Sequence, residues 1–197
     1  RMQDKGVTRA TIEAVAANTS SKSLIKSATS LMAALVSNAE AAEVFASGET
    51  IVMLNDICKQ NLKKPEVALN VISVLIKLAE NEACATVMSE NNIIQTTAQT
   101  LNLCSDSEEL IISCLYLLNN LVVFRNYKAF SETTLIADCA KLLQNYVKFA
   151  VDNAARTVES DNAVTIVTLS LKLLCGMLPC DEKREQFVKA DLVEMTK

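Results

Sequence analysis

The chain has 197 residues, of which 50% are apolar and 21% are charged, and it contains only 3 Gly and 2 Pro. This composition excludes a disordered chain and, because turn residues are so rare, favours a domain that is almost entirely helical. The chain has no His and a net charge of −4, so it lacks both the commonest general base of enzymes and the basic excess that is typical of nucleic-acid-binding proteins. We therefore expect no nucleic acid partner.

The seven cysteines stand mostly within apolar runs and form no C-x-x-C pair. We interpret them as small core residues of a protein from a reducing compartment and expect a cytoplasmic location. Only Cys175 and Cys180 are close in sequence, whereas a zinc site needs about four ligands at short paired spacings. We expect no metal and no cofactor. We also expect no enzymatic activity, because a Cys nucleophile would lack a His base and no Gly-rich phosphate motif occurs.

No apolar stretch reaches the roughly 20 residues that a membrane-spanning helix requires. The chain opens at Arg1 with polar residues and inside a helical pattern. These features predict neither a membrane span nor a signal peptide. We interpret residues 1–197 as a single domain that belongs to a longer chain.

The predicted helices recur along the chain with a period of 42 to 43 residues. After a helix at about residues 6–17, four apolar segments align without gaps, and they predict helices near residues 23–38, 65–80, 107–124 and 162–178. Apolar residues in each segment follow the spacing i, i+7, i+8, i+11, with Ala28, Val71, Cys114 and Ser170 at i+4, which is one face of an α-helix. One of these core columns contains Leu31, Val74, Leu117 and Leu173.

A second recurring element lies between these segments. It is a short helical stretch with an apolar pair, followed by a turn and a further apolar helix. The turn positions are occupied by Gly48, Asn91, Thr133 and Asp191, which are small or polar residues of the kind that end one helix and cap the next. The pattern therefore predicts three helices in each repeat.

This three-helix pattern resembles the armadillo repeat, a unit of about 40 to 47 residues, and the resemblance covers essentially the whole chain. It implies an all-α fold, a right-handed α-solenoid of about four armadillo-like repeats. Stacked repeats of this kind share a continuous core and form a curved rod, whose concave surface is lined by the third helix of each repeat.

The resemblance also implies the positions of a binding surface. Nuclear-import members of the family grip a basic peptide with Trp and Asn one turn apart, and only Tyr116 with Asn120 approximates such a pair here, so we disfavour an import adaptor. For Asn120 we also consider a structural role, in which it ties a neighbouring helix end. The predicted partner-binding residues are Ser30, Ala34, Ser73, Lys77, Tyr116, Asn120 and Lys172. In the alignment of the repeats, the equivalent of Asn120 in the last helix is Gly176.

The last repeat is longer than the others by about 16 residues, which lie between Leu142 and Asp161. The inserted segment has good helix formers and no Gly or Pro, so it predicts a second helix lengthened by several turns. Tyr146 and Phe149 lie on an apolar stripe of this segment. They are interpreted either as local packing or as a second surface for a partner.

The expected function is that of a non-catalytic scaffold or adaptor, which binds a peptide or helix of a protein partner on the concave surface. One alternative is a regulatory cofactor, such as a chaperone cofactor, a nucleotide-exchange factor or a formin-type regulatory domain. Another is a structural component of a cytoskeletal or ciliary assembly. Adjoining repeats of the same chain are expected as further contacts.

Overall fold

The computed structural model describes residues 2–18, 21–103, 106–124, 127–152 and 158–179. Within these ranges all regular secondary structure is helical, and eleven α-helices pack against one another. The predicted turn at Asp191 and the helix after it lie outside the described residues. The helices are α1 (Met2–Ala17), α2 (Lys22–Leu35), α3 (Ala39–Phe45), α4 (Gly48–Gln60), α5 (Pro65–Leu78), α6 (Glu82–Glu90), α7 (Ile93–Leu103), α8 (Glu108–Val122), α9 (Tyr127–Ser131), α10 (Leu135–Asp152) and α11 (Val158–Met177).

The four predicted apolar helices are confirmed as α2, α5, α8 and α11. They form a stack in which α2 packs against α5, α5 against α8, and α8 against α11. The helices α1, α4, α7 and α10 each precede one member of the stack and pack against it. The short helices α3, α6 and α9 occupy the first position of the predicted three-helix unit. The long helices that are three apart in sequence are therefore neighbours in space.

The helices α8 and α11 run parallel. Their contacts occur in the same order along both helices. Near the starts, Asn162 donates a hydrogen bond to Glu108 over 3.0 Å, and further along, Asn119 donates to the carbonyl of Leu169 over 3.0 Å. Near the ends, Val122 lies against Gly176.

The predicted apolar columns form the core of the stack. Val74, Leu117 and Leu173 are fully buried, as are most residues of the neighbouring columns. The exception is Leu31, which we predicted to be a core residue but which is 42% exposed. That prediction is wrong because α2 is the first member of the described stack, so it has no preceding stack helix of the kind that α5, α8 and α11 have.

Asparagine N-caps mark where two of the units begin. Asn38 and Asn81, which are 43 residues apart, are the N-caps of α3 and α6, and each accepts a hydrogen bond from a backbone N–H of the helix that follows. Ser47 caps α4, so Gly48 is the first residue of that helix rather than its cap. Asn92 takes a positive φ of 60° between α6 and α7. Asn tolerates this left-handed backbone better than most residues do.

The insertion is divided between two helices. α10 has 18 residues, compared with 16 in α1, 13 in α4 and 11 in α7. The second helix is thus longer here, but by at most about two turns rather than the several turns predicted. α11 has 20 residues and begins at Val158, four residues before the predicted start. Part of the inserted sequence therefore extends the last helix of the stack. None of the helices in the described ranges combines the length and apolar character of a membrane span.

Candidate interaction surface

The stack brings most of the predicted binding residues to one side of the molecule. Ser30, Ser73, Tyr116 and Lys172 occupy equivalent positions of α2, α5, α8 and α11. We call these four residues the Tyr116 row. Neighbouring helices of the stack are in contact, so side chains at equivalent positions follow one another across it. A second row, one helical turn later, contains Ala34, Lys77, Asn120 and Gly176.

Tyr116 is the largest side chain of its row. It is 46% exposed, although its neighbours Leu115 and Leu117 are fully buried. The α-helix explains this contrast, because successive residues point about 100° apart around the axis. Tyr116 therefore presents its ring to solvent from a helix that is otherwise fixed by its core contacts. A tyrosine held in this way provides a rigid apolar face with a polar hydroxyl.

The other members of the row are small or cationic. Ser30 and Lys172 are exposed, and Ser73 is half-buried. The hydroxyl of Ser73 donates a hydrogen bond to the carbonyl of Leu69 over 2.8 Å. This bond keeps the Ser73 side chain close to its own helix. The row therefore has only short side chains at Ser30 and Ser73. Its last member, Lys172, is a long cationic side chain.

Lys77 lies in the second row and is exposed. Its ammonium group contacts the carboxylate of Glu80 at 2.9 Å, and both side chains are largely solvent-accessible. An exposed ion pair of this kind contributes little to stability, about 0 to 1 kcal/mol. Lys77 can therefore exchange Glu80 for a carboxylate of a partner at small cost.

Asn120 has a structural role in the second row. It is half-buried, and its amide donates to the carbonyl of Ile76 in α5 over 3.4 Å. This geometry supports the interpretation that Asn120 ties a neighbouring helix end. The equivalent residue of α11, Gly176, faces Val122 of α8. The solvent-exposed predicted residues are thus Ser30, Ala34, Lys77, Tyr116 and Lys172.

Tyr146, one of the two residues of the predicted second surface, contacts the core of the protein. This residue is half-buried and packs against the hydrophobic core from α10. Burial, and to a smaller extent the negative charge of Glu108, raises the pKa of the Tyr146 hydroxyl. These contacts are those of local packing between helices. The side chain of Phe149 lies outside the described residues.

Amide side chains within the helix contacts were missed by the sequence analysis. Asn70 donates to the hydroxyl of Thr29 over 3.5 Å between α5 and α2, and Asn119 joins α8 to α11. Asn55, which is buried in α4, donates to the carbonyl of Asn91 over 2.7 Å. Asparagines within otherwise apolar helices could have indicated these contacts, because buried amides need hydrogen-bond partners.

The described residues show no cluster of three or more His, Cys, Asp or Glu side chains that could hold a metal ion. The side chains of Cys58, Cys84, Cys114 and Cys139 are buried, and that of Cys175 is exposed. Four of the five described cysteines therefore act as small core residues, as predicted from the sequence.

Comparison with protein family models, with curated proteins and with solved structures finds no match to this chain.

Proposed function

We propose that this protein is an armadillo-type α-solenoid that serves as a non-catalytic scaffold or adaptor for other proteins. The order of helices supports the proposal, because a short, a second and a long apolar helix follow one another and the long helices stack on those three positions away. A stack of this type shares one core and is preformed, so binding costs it little conformational entropy.

The observation that carries the proposed function is the exposure of Tyr116 in the middle of the stack. Partly exposed aromatic residues on rigid elements are the residues that dominate binding energies at protein interfaces. The small side chains of Ser30 and Ser73 beside it leave room for a ligand to pass across α2 and α5. The Tyr116 row is therefore the proposed binding surface.

The charges of this surface select the kind of ligand. Lys172 stands at one end of the row, and Lys77 lies one turn away from Ser73. These cations repel a basic peptide and attract carboxylates. We propose an extended peptide or helix with an apolar or aromatic anchor for Tyr116 and at least one acidic residue.

Peptide display provides a direct test. Peptides would be selected on the whole 197-residue chain, and their affinities would be compared with those for the Tyr116→Ala variant by titration calorimetry. We expect the variant to weaken binding by at least about tenfold, which corresponds to roughly 1.4 kcal/mol. Asn120 is kept unchanged, because its hydrogen bond to Ile76 supports the helix stack.

Lys141→Ala is the matched control. Lys141 is exposed on α10, a helix that carries no residue of the Tyr116 row, and its removal should leave the affinity unchanged. Circular dichroism should show the same helicity for both variants. Selected peptides that bind the Tyr116 variant as tightly as the native chain would place the binding surface elsewhere.

A further inference from the structure

A cleft lined by lysines opens where α2 and α5 begin, and it has a volume of about 460 Å³. Its lining comes from α2, from the start of α5 and from the loop that joins α4 to α5, and includes Ser23, Lys26, Lys63, Lys64, Glu66 and Val67. We call it the lysine cleft. The helices α2 and α5 pack against each other, so the cleft belongs to the contact between two repeats rather than to an end of the chain.

The charge of the lysine cleft is opposite to that of the chain as a whole. Lys26, Lys63 and Lys64 contribute three ammonium groups to the lining, and Glu66 contributes the only carboxylate. The whole chain, in contrast, has a net charge of −4. A local excess of cations along a cleft attracts anions from solution.

Lys64 is positioned by a neutral neighbour. Its ammonium group donates a hydrogen bond to Oδ1 of Asn61 over 2.9 Å. Asn61 is buried, and its amide in turn donates to the carbonyl of Ile57 in α4 over 2.8 Å. The side chain of Asn61 is therefore fixed, and it holds Lys64 without neutralising its charge.

The other two lysines are able to take an anionic partner. Lys26 forms an ion pair with Glu66, but these side chains are 58% and 68% exposed, and an exposed pair of this kind holds its partners only weakly. Lys63 is exposed, and no described carboxylate lies within ion-pair distance of it. The cleft thus has more positive charge than its own residues neutralise.

We propose that the lysine cleft binds the phosphate group of a phosphorylated side chain in a partner protein. A phosphate monoester carries a charge of about −1.5 to −2 at pH 7 and has three strong acceptor oxygens. It therefore matches three ammonium groups, whereas a carboxylate carries a single charge and would leave most of the excess unpaired. A membrane of anionic lipids fits less well, because a flat surface of head groups reaches only the rim of a cleft.

The test is an NMR titration of the whole isotope-labelled chain with O-phosphoserine. The backbone N–H signals of the residues that line the cleft should shift, and unphosphorylated serine at the same concentrations should leave them unchanged. Lys63→Gln combined with Lys64→Gln should weaken binding by at least about tenfold, because two charged donors are lost. Lys141→Gln is the matched control. It removes the same charge from an exposed position of α10 and should leave the affinity unchanged.

Glu66→Gln separates an effect on the site from an effect on folding. It removes the negative charge of the cleft and releases Lys26, so binding of O-phosphoserine should become about two- to fivefold tighter. A variant that merely disturbs the fold does not gain affinity, and circular dichroism should show that every variant folds. Lys63→Gln alone should also weaken binding, without disturbing the hydrogen bond between Lys64 and Asn61.

Three results would overturn the proposal. One is equal binding of O-phosphoserine by the native chain and by the variant that lacks both lysines. Another is unchanged or weaker binding by Glu66→Gln. The third is sedimentation of the native chain with anionic phosphatidylserine vesicles while O-phosphoserine shifts no signal in the cleft, which would assign the lysines to a membrane surface.

Discussion

The amide of Asn120 in α8 donates a hydrogen bond to the backbone carbonyl of Ile76 in α5, with 3.4 Å between nitrogen and oxygen. Ile76 lies in the last turn of α5, where carbonyls have no donor within the helix. The carbonyls of Leu75, Lys77 and Leu78 accept hydrogen bonds from the backbone N–H groups of following residues. Asn120 therefore provides the donor for the remaining carbonyl of that turn and holds α8 in register with α5.

Asn120→Ala should lower the free energy of unfolding by about 0.5 to 1.5 kcal/mol, because the half-buried carbonyl of Ile76 loses its donor. Urea denaturation followed by circular dichroism measures this effect. Ala34→Ser, on an exposed position of α2, is the control and should change stability by less than about 0.5 kcal/mol. An Asn120→Ala variant as stable as the native chain would show that this bond contributes nothing.

Gly176→Ala should be destabilising, although the same change in an open helix stabilises by about 1 kcal/mol. A Cβ atom at Gly176 would lie 2.7 Å from Cγ1 and 3.2 Å from Cγ2 of Val122, so the Val122 side chain or one of the two helices would have to shift. We expect a loss of about 1 to 3 kcal/mol, which is typical of overpacking. Thermal unfolding of the variant measures it.

Two further variants isolate the steric cause of this effect. Gly48→Ala is the matched control, because a Cβ there would meet Val87 at 3.8 Å, an ordinary contact; it should be neutral or slightly stabilising. Val122→Ala combined with Gly176→Ala removes the clashing methyl groups, so the double variant should be more stable than the two single changes predict when added. Simple additivity would contradict the close contact.

Leu117→Ala should lower the free energy of unfolding by about 2 to 5 kcal/mol, because Leu117 is fully buried and its truncation leaves a cavity. Lys141→Ala on the exposed side of α10 should stay within about 0.5 kcal/mol of the native protein. Chemical denaturation of both variants provides the comparison. An unchanged midpoint for Leu117→Ala would show that this column is not part of the core.

The thiols of Cys139 and Cys175 should react very differently with alkylating reagents. Burial, and secondarily the neighbouring Asp138, raises the pKa of Cys139 to about 12, whereas Cys175 is exposed. Because the thiolate is the reactive form, we expect Cys175 to be labelled in the folded protein and Cys139 only after unfolding. Peptide mass spectrometry identifies the labelled residue. Labelling of Cys139 under native conditions would contradict its burial.

The same shift predicts a loss of stability at high pH. In the unfolded chain a thiol ionises near its ordinary pKa of 9.0, whereas folded Cys139 keeps its proton up to about pH 12. The folded state thus binds more protons between these values, and stability falls as the pH rises from about 9 towards 12. Cys139→Ala should reduce this slope. A slope equal to that of the native protein would exclude a contribution from Cys139.

The sequence alone determined the helices and most of the core. The apolar spacing predicted the course of α2, α5 and α8 to within a few residues, because a helical face must be apolar wherever it is buried. The same periodicity identified Leu117 as a core residue and Tyr116 as a residue on the opposite side of the same helix. These features depend on local periodicity, which the order of residues contains directly.

Only the tertiary structure decided which residues on the helix surfaces meet a neighbour. Leu31 and Leu117 occupy the same column, yet only Leu117 is covered, because α2 stands at the end of the described stack. Asn120 matched a ligand-binding position in the repeat but is bonded to Ile76. The helical period specifies the direction of a side chain, whereas its exposure depends on whether another helix packs there, and that contact joins residues more than 40 positions apart.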